Sequence, residues 1–260
     1  MHRRTFLRLG GTAGLVSAAG LAAASTEAGS GRQYMELQKY SLDTEAQRQA
    51  LDTFLKDVAL PALNRLGIRP VGVFCDAKDF SPVYVLLPHR TAESALTLTQ
   101  RLLADAEFAA KGAAFIDAPK EALPYREVES WLTRAFKGMP RVDTPVTAPG
   151  RIFQLRIYES PSLKTGQKKI EMFNDAGEID IFRRVGLNPV FFGETLVGGK
   201  MPNLTYMLMF ESEGAMKAGW KKFGGDPDWQ RLRGMDEYAD RNILSGITNL
   251  LLKPAEYSQI

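Results

Sequence analysis

The sequence predicts an α+β chain made of two copies of one β-α-β-β-α-β unit, and three internal matches carry that prediction. Residues 34–40 (Tyr-Met-Glu-Leu-Gln-Lys-Tyr) reappear as residues 152–158 (Ile-Phe-Gln-Leu-Arg-Ile-Tyr), 118 positions later. Gly67-Ile68-Arg69-Pro70-Val71 returns as Gly186-Leu187-Asn188-Pro189-Val190 at an offset of 119. Asp105-Ala106-Glu107-Phe108 returns as Asp226-Pro227-Asp228-Trp229 at 121. Repeats of about 20–50 residues make solenoids, whereas a period this long duplicates a whole domain. The small drift is what loop insertions produce.

In the first copy, residues 34–40 read as a short strand. Asp43 or Thr44 can cap a helix reaching about Leu66, with Leu51, Phe54, Leu55, Val58, Leu60 and Leu63 on one face at spacings of three and four. Pro61 is expected to kink it, and Gly67 followed by Pro70 ends it. Strands follow over 71–75 and 83–87, joined by a turn-rich stretch. Thr91 caps a second helix to about Leu103, and 126–136 is the last strand. The second copy repeats the order: a strand over 153–158, a helix over about 166–185 closed by Gly186, strands over 190–194 and 204–210, and a helix over 213–222. Asp226 caps a turn with Pro227 at the first helical position, and a strand over 247–252 closes the copy. The domains are therefore 33–137 and 151–258, joined by the Pro- and Thr-rich linker 138–150. This order is the ferredoxin-like split βαβ, which has helices on one sheet face and leaves the other bare. Sheet against sheet is the simplest cover when one chain holds two copies.

Residues 1–28 read as an export signal. Met1-His2-Arg3-Arg4-Thr5-Phe6-Leu7-Arg8 leads into a Gly/Ala/Leu run, no acid precedes Glu27, and Ala22-Ala23-Ala24 offers an A-x-A cleavage site. The order of these regions favours a signal over a disordered basic tail. The arginine pair resembles the twin-arginine pattern, and the apolar run falls short of the ~20 residues of a membrane span. The expected location is periplasmic or secreted, with no membrane partner once the signal is removed. The chain has 33 Lys+Arg against 30 Asp+Glu, and Arg3, Arg4 and Arg8 leave with the segment through Ala24. The remainder balances at 30 against 30, so no basic field marks a nucleic-acid partner.

Much common chemistry is excluded by composition. Cys75 is the only cysteine, so no intramolecular disulfide forms, and within 71–75 it reads as a small core residue. Of the 2 histidines, His2 lies in the signal and His89 alone remains. No zinc constellation can be built from one histidine and one cysteine. The mature part has no G-x-S-x-G elbow, no G-x-G-x-x-G and no Walker loop. No metal and no cofactor is therefore expected. Haem is conceivable only through His89, whose ordinary reading after Pro88 is a surface histidine in a turn. Phe191, Phe192, Trp220, Phe223 and Trp229 read as core and interface, and Lys164 to Lys169 as a solvated helix start.

The strand opener Glu-Leu-x-x-Tyr (Glu36, Leu37, Tyr40) and its second version Gln-Leu-x-x-Tyr (Gln154, Leu155, Tyr158) carry a resemblance. Each precedes a long helix, a Gly-x-x-Pro-Val and an Asp-x-x-Phe/Trp turn. The ordered set resembles the NIPSNAP family, in the dimeric α+β barrel superfamily, over nearly all of the mature chain. The resemblance implies an intrachain dimeric α+β barrel, a monomer with an internal pseudo-dimer. It carries over no catalytic residues. The wider superfamily includes cofactor-free oxygenases, isomerases and haem proteins, an analogy of fold alone.

Strand alternation supplies the candidate ligand-binding residues. Met35 and Leu37 share one face, as do Phe153, Leu155 and Ile157; Glu36, Gln38 and Tyr40 point the other way, as do Gln154, Arg156 and Tyr158. If the apolar set packs under the helices, the polar set converges between the sheets, either around a small molecule or with Glu36 and Arg156 pairing across the pseudo-twofold. The opposite registration puts the site between sheet and helices. Two functions follow: a small-molecule-binding or interaction protein without catalysis, or a cofactor-independent enzyme, oxygenase- or isomerase-like, acting on a small organic substrate.

Overall fold

The computed structural model describes residues 31–144 and 148–260; the signal-like segment lies outside them. Eight strands, β1 (Tyr34–Ser41), β2 (Gly72–Asp76), β3 (Val83–His89), β4 (Glu127–Ala135), β5 (Ile152–Glu159), β6 (Asn188–Val197), β7 (Asn203–Phe210) and β8 (Gly246–Pro254), close into a barrel. The order around it is β1-β3-β2-β8-β5-β7-β6-β4, with antiparallel neighbours. Each half contributes four strands in one order, β4-β1-β3-β2 and β8-β5-β7-β6. The halves join edge to edge, β2 to β8 at Cys75↔Lys253 and β4 to β6 at Arg134↔Glu194. Closure abolishes the open sheet edges that each half alone would expose.

The barrel interior is apolar and filled. Met35, Leu37, Phe74, Leu86, Phe153, Leu155, Phe191, Met207 and Met209 form one buried cluster there; Met35, Leu37, Phe153 and Leu155 among them were expected under the helices. The chain's last residues complete it: Gln259 N–H donates to Val71 O along β2, and Ile260 is buried in the same cluster. At the β4–β6 seam a Cβ on Gly193 would meet Thr133 Oγ1 at 2.7 Å and Met35 Cε at 3.0 Å. Gly193→Val is therefore expected to cost about 1–3 kcal/mol through overpacking, measured by denaturant unfolding; an unchanged midpoint would show that β6 can move off β4 freely.

The first helical layer begins with α1 (Glu45–Phe54), capped by Thr44 Oγ1 accepting from Gln47 N–H at 3.2 Å. It continues through a π-helical turn, Leu55–Ala59, into α2 (Leu60–Arg65). Pro61 has no N–H to donate, and the preceding Leu60 N–H reaches back five residues to Leu55 O. A widened turn thus replaces the expected kink. α3 (Ala92–Leu96), capped by Thr91, and α4 (Leu98–Leu103) break at Thr97, where one helix was expected. α5 (Ala106–Ile116) follows, capped by Asp105, where only a turn was expected.

The second layer holds α6 (Leu163–Asn174), α7 (Glu178–Arg184), α8 (Glu213–Gly225), α9 (Pro227–Gly234) and α10 (Asp240–Ile243). The single helix expected over 166–185 is broken, because Gly177 sits at φ +93 in a left-handed turn. The repeated Asp now has a cause. Asp105 accepts from Phe108 N–H and from Arg65 Nε and Nη2, both at 2.9 Å; Asp226 caps α9 and holds Arg184. In each half one carboxylate starts a helix and ties it to the end of an earlier one. The lysine run also needs correcting. Lys169 is 1% exposed, its Nζ 3.4 Å from buried Glu178 and 3.6 Å from Asp240.

Candidate functional site

The alternation of β1 places Glu36, Gln38 and Tyr40 beneath the helices of the N-terminal half, and that of β5 places Gln154, Arg156 and Tyr158 beneath those of the other half. The six do not converge between the sheets, and Glu36 does not pair with Arg156. The physical reason is that the barrel interior takes the purely apolar set, while the helix-facing side offers polar groups partners.

In the N-terminal half a pocket of about 380 Å³ separates sheet from helices. Glu36, Gln38, Tyr40, Val85 and Leu87 form its floor; Phe54, Leu55 and Ala59 come from the α1–π–α2 stretch, Leu98 and Leu102 from α4, and Phe108 and Phe115 from α5. The π turn sets Leu55 and Ala59 over the pocket, an instance of the local widening often found at functional sites.

A polar chain runs along the floor. Tyr40 Oη donates to Gln38 Oε1 at 3.0 Å, Gln38 Nε2 donates to Glu36 Oε1 at 2.7 Å, and Ser130 Oγ donates to the same oxygen at 3.1 Å. Glu36 Oε2 lies 3.3 Å from His89 Nε2, diagonally across β1 and β3. Neither atom has an aligned hydrogen bond. Behind it, Arg101 Nη1 donates to Ser94 Oγ at 3.0 Å, and that oxygen lies 3.1 Å from His89 Nδ1. The Ser94 hydroxyl has a second lone pair as well as its hydrogen, so the His89 tautomer sets which of the two meets Nδ1 and whether Nε2 carries the proton toward Glu36.

The electrostatics follow from these contacts. Burial alone would push the Glu36 carboxyl up, but His89, Gln38 and Ser130 outweigh it and hold it below the usual glutamate range. Burial, with Tyr125 and Glu36 close by, pushes the Tyr40 phenol far up, so Tyr40 stays a donor. His89 is fully buried, not the surface histidine expected from its turn-like context. Both its ring nitrogens face protein groups, and a haem iron would need one of them free.

The same strand positions in the C-terminal half are filled. By register, Val73, Val85 and His89 correspond to Phe192, Tyr206 and Phe210, and the larger rings occupy the face that stays open in the first half. There Trp220 Nε1 donates to Gln154 Oε1 at 2.7 Å, and the Tyr158 and Tyr206 hydroxyls lie 2.9 Å apart. The Arg156 guanidinium stacks 4.8 Å from the Trp220 ring centre and 5.2 Å from that of Tyr158. Sequence reasoning missed Ser94, Arg101, Ser130 and Tyr125. Comparing small with large residues at helix-facing positions of the two copies would have pointed to the pocket.

Cys75, expected in the core, is only partly buried; Arg48 Nη2 donates to its Sγ at 2.7 Å. Burial pushes its thiol up, against the opposing pull of Arg48.

The closed eight-stranded barrel with helices outside is the dimeric α+β barrel, assembled here within one chain. Residues 153–259, in the C-terminal half, match the NIPSNAP family. Among solved structures, a "putative monooxygenase" from Lactobacillus acidophilus NCFM superposes with a TM-score of 0.58 at 8% identity, covering 86% of this chain and 94% of that one. An anthrone oxidase-like protein superposes with a TM-score of 0.51 at 9% identity, covering 86% and 92%. At such identities the likeness is one of fold. No curated protein matches the chain in sequence.

Proposed function

We propose that the chain binds a small organic molecule in the pocket of its N-terminal half, with an apolar body under α1, α4 and α5 and a hydrogen-bond donor directed at Glu36. The observation that carries this is the conjunction of an apolar-roofed pocket of about 380 Å³ with a carboxylate on its floor that is only 14% exposed. Convergent polar groups in an apolar cleft are the usual mark of a ligand site. Native mass spectrometry of the protein isolated from its own host is expected to show a retained molecule. Glu36→Gln should release it, since a hydrogen bond to a charged group is worth about 1.5–3 kcal/mol, or some ten- to hundredfold in affinity. Equal retention by both proteins would refute the role of Glu36.

The Glu36–His89 contact favours a second reading, a cofactor-independent enzyme in which Glu36 removes a proton from the bound molecule. His89 Nε2 lies 3.3 Å from the carboxylate and, in the tautomer that carries the proton there, steadies its charge. The descriptions of the structural neighbours as monooxygenase and oxidase-like support this reading by fold analogy. The base must be ionised, and Glu36 is held below its usual range. Activity should therefore persist on acidification to about pH 4.5, the ordinary glutamate region, and fall only below it. An activity lost between pH 6 and 7 would assign the base to another group.

A further inference from the structure

Phe54 and Phe115 line two spaces at once. On their inner side is the pocket over Glu36; on their outer side a groove of about 630 Å³ lies between α1 and α5. The two rings stack with centres 3.9 Å apart and planes within 3°, and they form the partition. Small and apolar residues, among them Ala46, Ala50, Gly112, Ala114 and Leu123, form most of its wall, and Gln47, Gln49, Thr53 and Lys111 the rest. Leu123 is 50% exposed, an apolar surface left without cover among the described residues.

We propose, resting on the ligand-binding reading above, that the ligand is an elongated amphiphile. Its head sits over Glu36, Gln38 and Tyr40, and its tail passes between Phe54 and Phe115 into the α1–α5 groove. The shared partition argues for one occupant, because parting a single stacked pair joins the two spaces. The excess attraction of such a pair is small compared with the burial of several methylenes. The head group follows from charge. Glu36 is ionised over most of the pH range and accepts, so a hydroxyl, phenol or amine suits it and a carboxylate is repelled.

The test is a homologous series of 4-alkylphenols, from ethyl to octyl, titrated by calorimetry into the full-length protein and into Ala50→Leu and Ala114→Leu. Both alanines are on exposed helix faces, and leucine is a good helix former, so folding is preserved. Wild-type affinity is expected to rise about two- to fourfold per methylene, fourfold corresponding to full burial. Both variants should bind 4-ethylphenol normally and lose the gain from longer chains. If 4-ethylphenol binds and chain length adds nothing, or if the variants keep the gain, the elongated-ligand inference is overturned while the pocket stands. If octanoic acid binds as well as 4-octylphenol, the head-group assignment is overturned. If no phenol binds at millimolar concentration, the ligand-binding reading falls together with this one.

Discussion

Replacing Lys169 with Met is expected to lower stability by about 3–5 kcal/mol at neutral pH, the usual cost of leaving one member of a buried ion pair alone. Lys169 and Glu178 are 1% and 2% exposed, with Nζ 3.4 Å from Oε2. Methionine matches the aliphatic part of lysine, so the loss reports the stranded carboxylate more than a cavity. Burial already pushes the Glu178 carboxyl above its usual range, and Lys169 is the main opposing influence. Without the lysine it moves further up. A carboxyl raised in the folded state favours the protonated form, so its contribution is present at low pH and lost as pH rises through the folded value. Lys169→Met should therefore regain stability between pH 8 and pH 5, measured by urea unfolding at both. The double variant Lys169→Met, Glu178→Leu should recover most of the loss at pH 8. A single-variant loss under about 1 kcal/mol, within the range of exposed pairs, would mean that the pair is not dry.

The second large effect is on ligand binding. Val85→Phe should abolish retention of the ligand, a loss of about 100-fold or more, equivalent to some 2.8 kcal/mol. Val85 is 1% exposed on the pocket floor, and Tyr206 occupies the corresponding position in the C-terminal half. The substitution copies into the first half what the second half already has. A phenyl ring entering a pocket of about 380 Å³ meets space rather than packed atoms, so the thermal midpoint should hold or rise. Retained binding by a well-folded Val85→Phe protein would place the ligand elsewhere. A fall in midpoint with loss of binding would show that the pocket is too narrow for the ring.

Much of the architecture was legible because it is written in local chemistry. Thr44, Thr91 and Asp226 cap helices at the expected places, since a side-chain oxygen satisfying a free N–H needs only its neighbours. Gly67 and Gly186 end helices at positive φ, which follows from their lack of a Cβ. The period-two pattern sorted β1 and β5 into two sets of side chains. Pattern alone could not say which set faced inward, because both faces of these strands are covered, one by helices and one by the opposite wall of the barrel. His89 and Lys169 were misjudged for a related reason. A polar residue's depth depends on whether a distant partner waits for it, here Glu36 across a strand pair and Glu178 on the next helix.

By itself the sequence determined the duplication, the order of elements and the places where helices begin and end, because these rest on interactions within a few residues. Only the tertiary structure decided which strand faces line the barrel interior and which lie under the helices, and that the polar strand faces lie in separate halves. It also decided that the first half is open where the second is filled. Those outcomes depend on side-chain volumes facing each other across the fold: Val85 leaves room under α1 and α5, whereas Tyr206 closes the same place under α6 and α7.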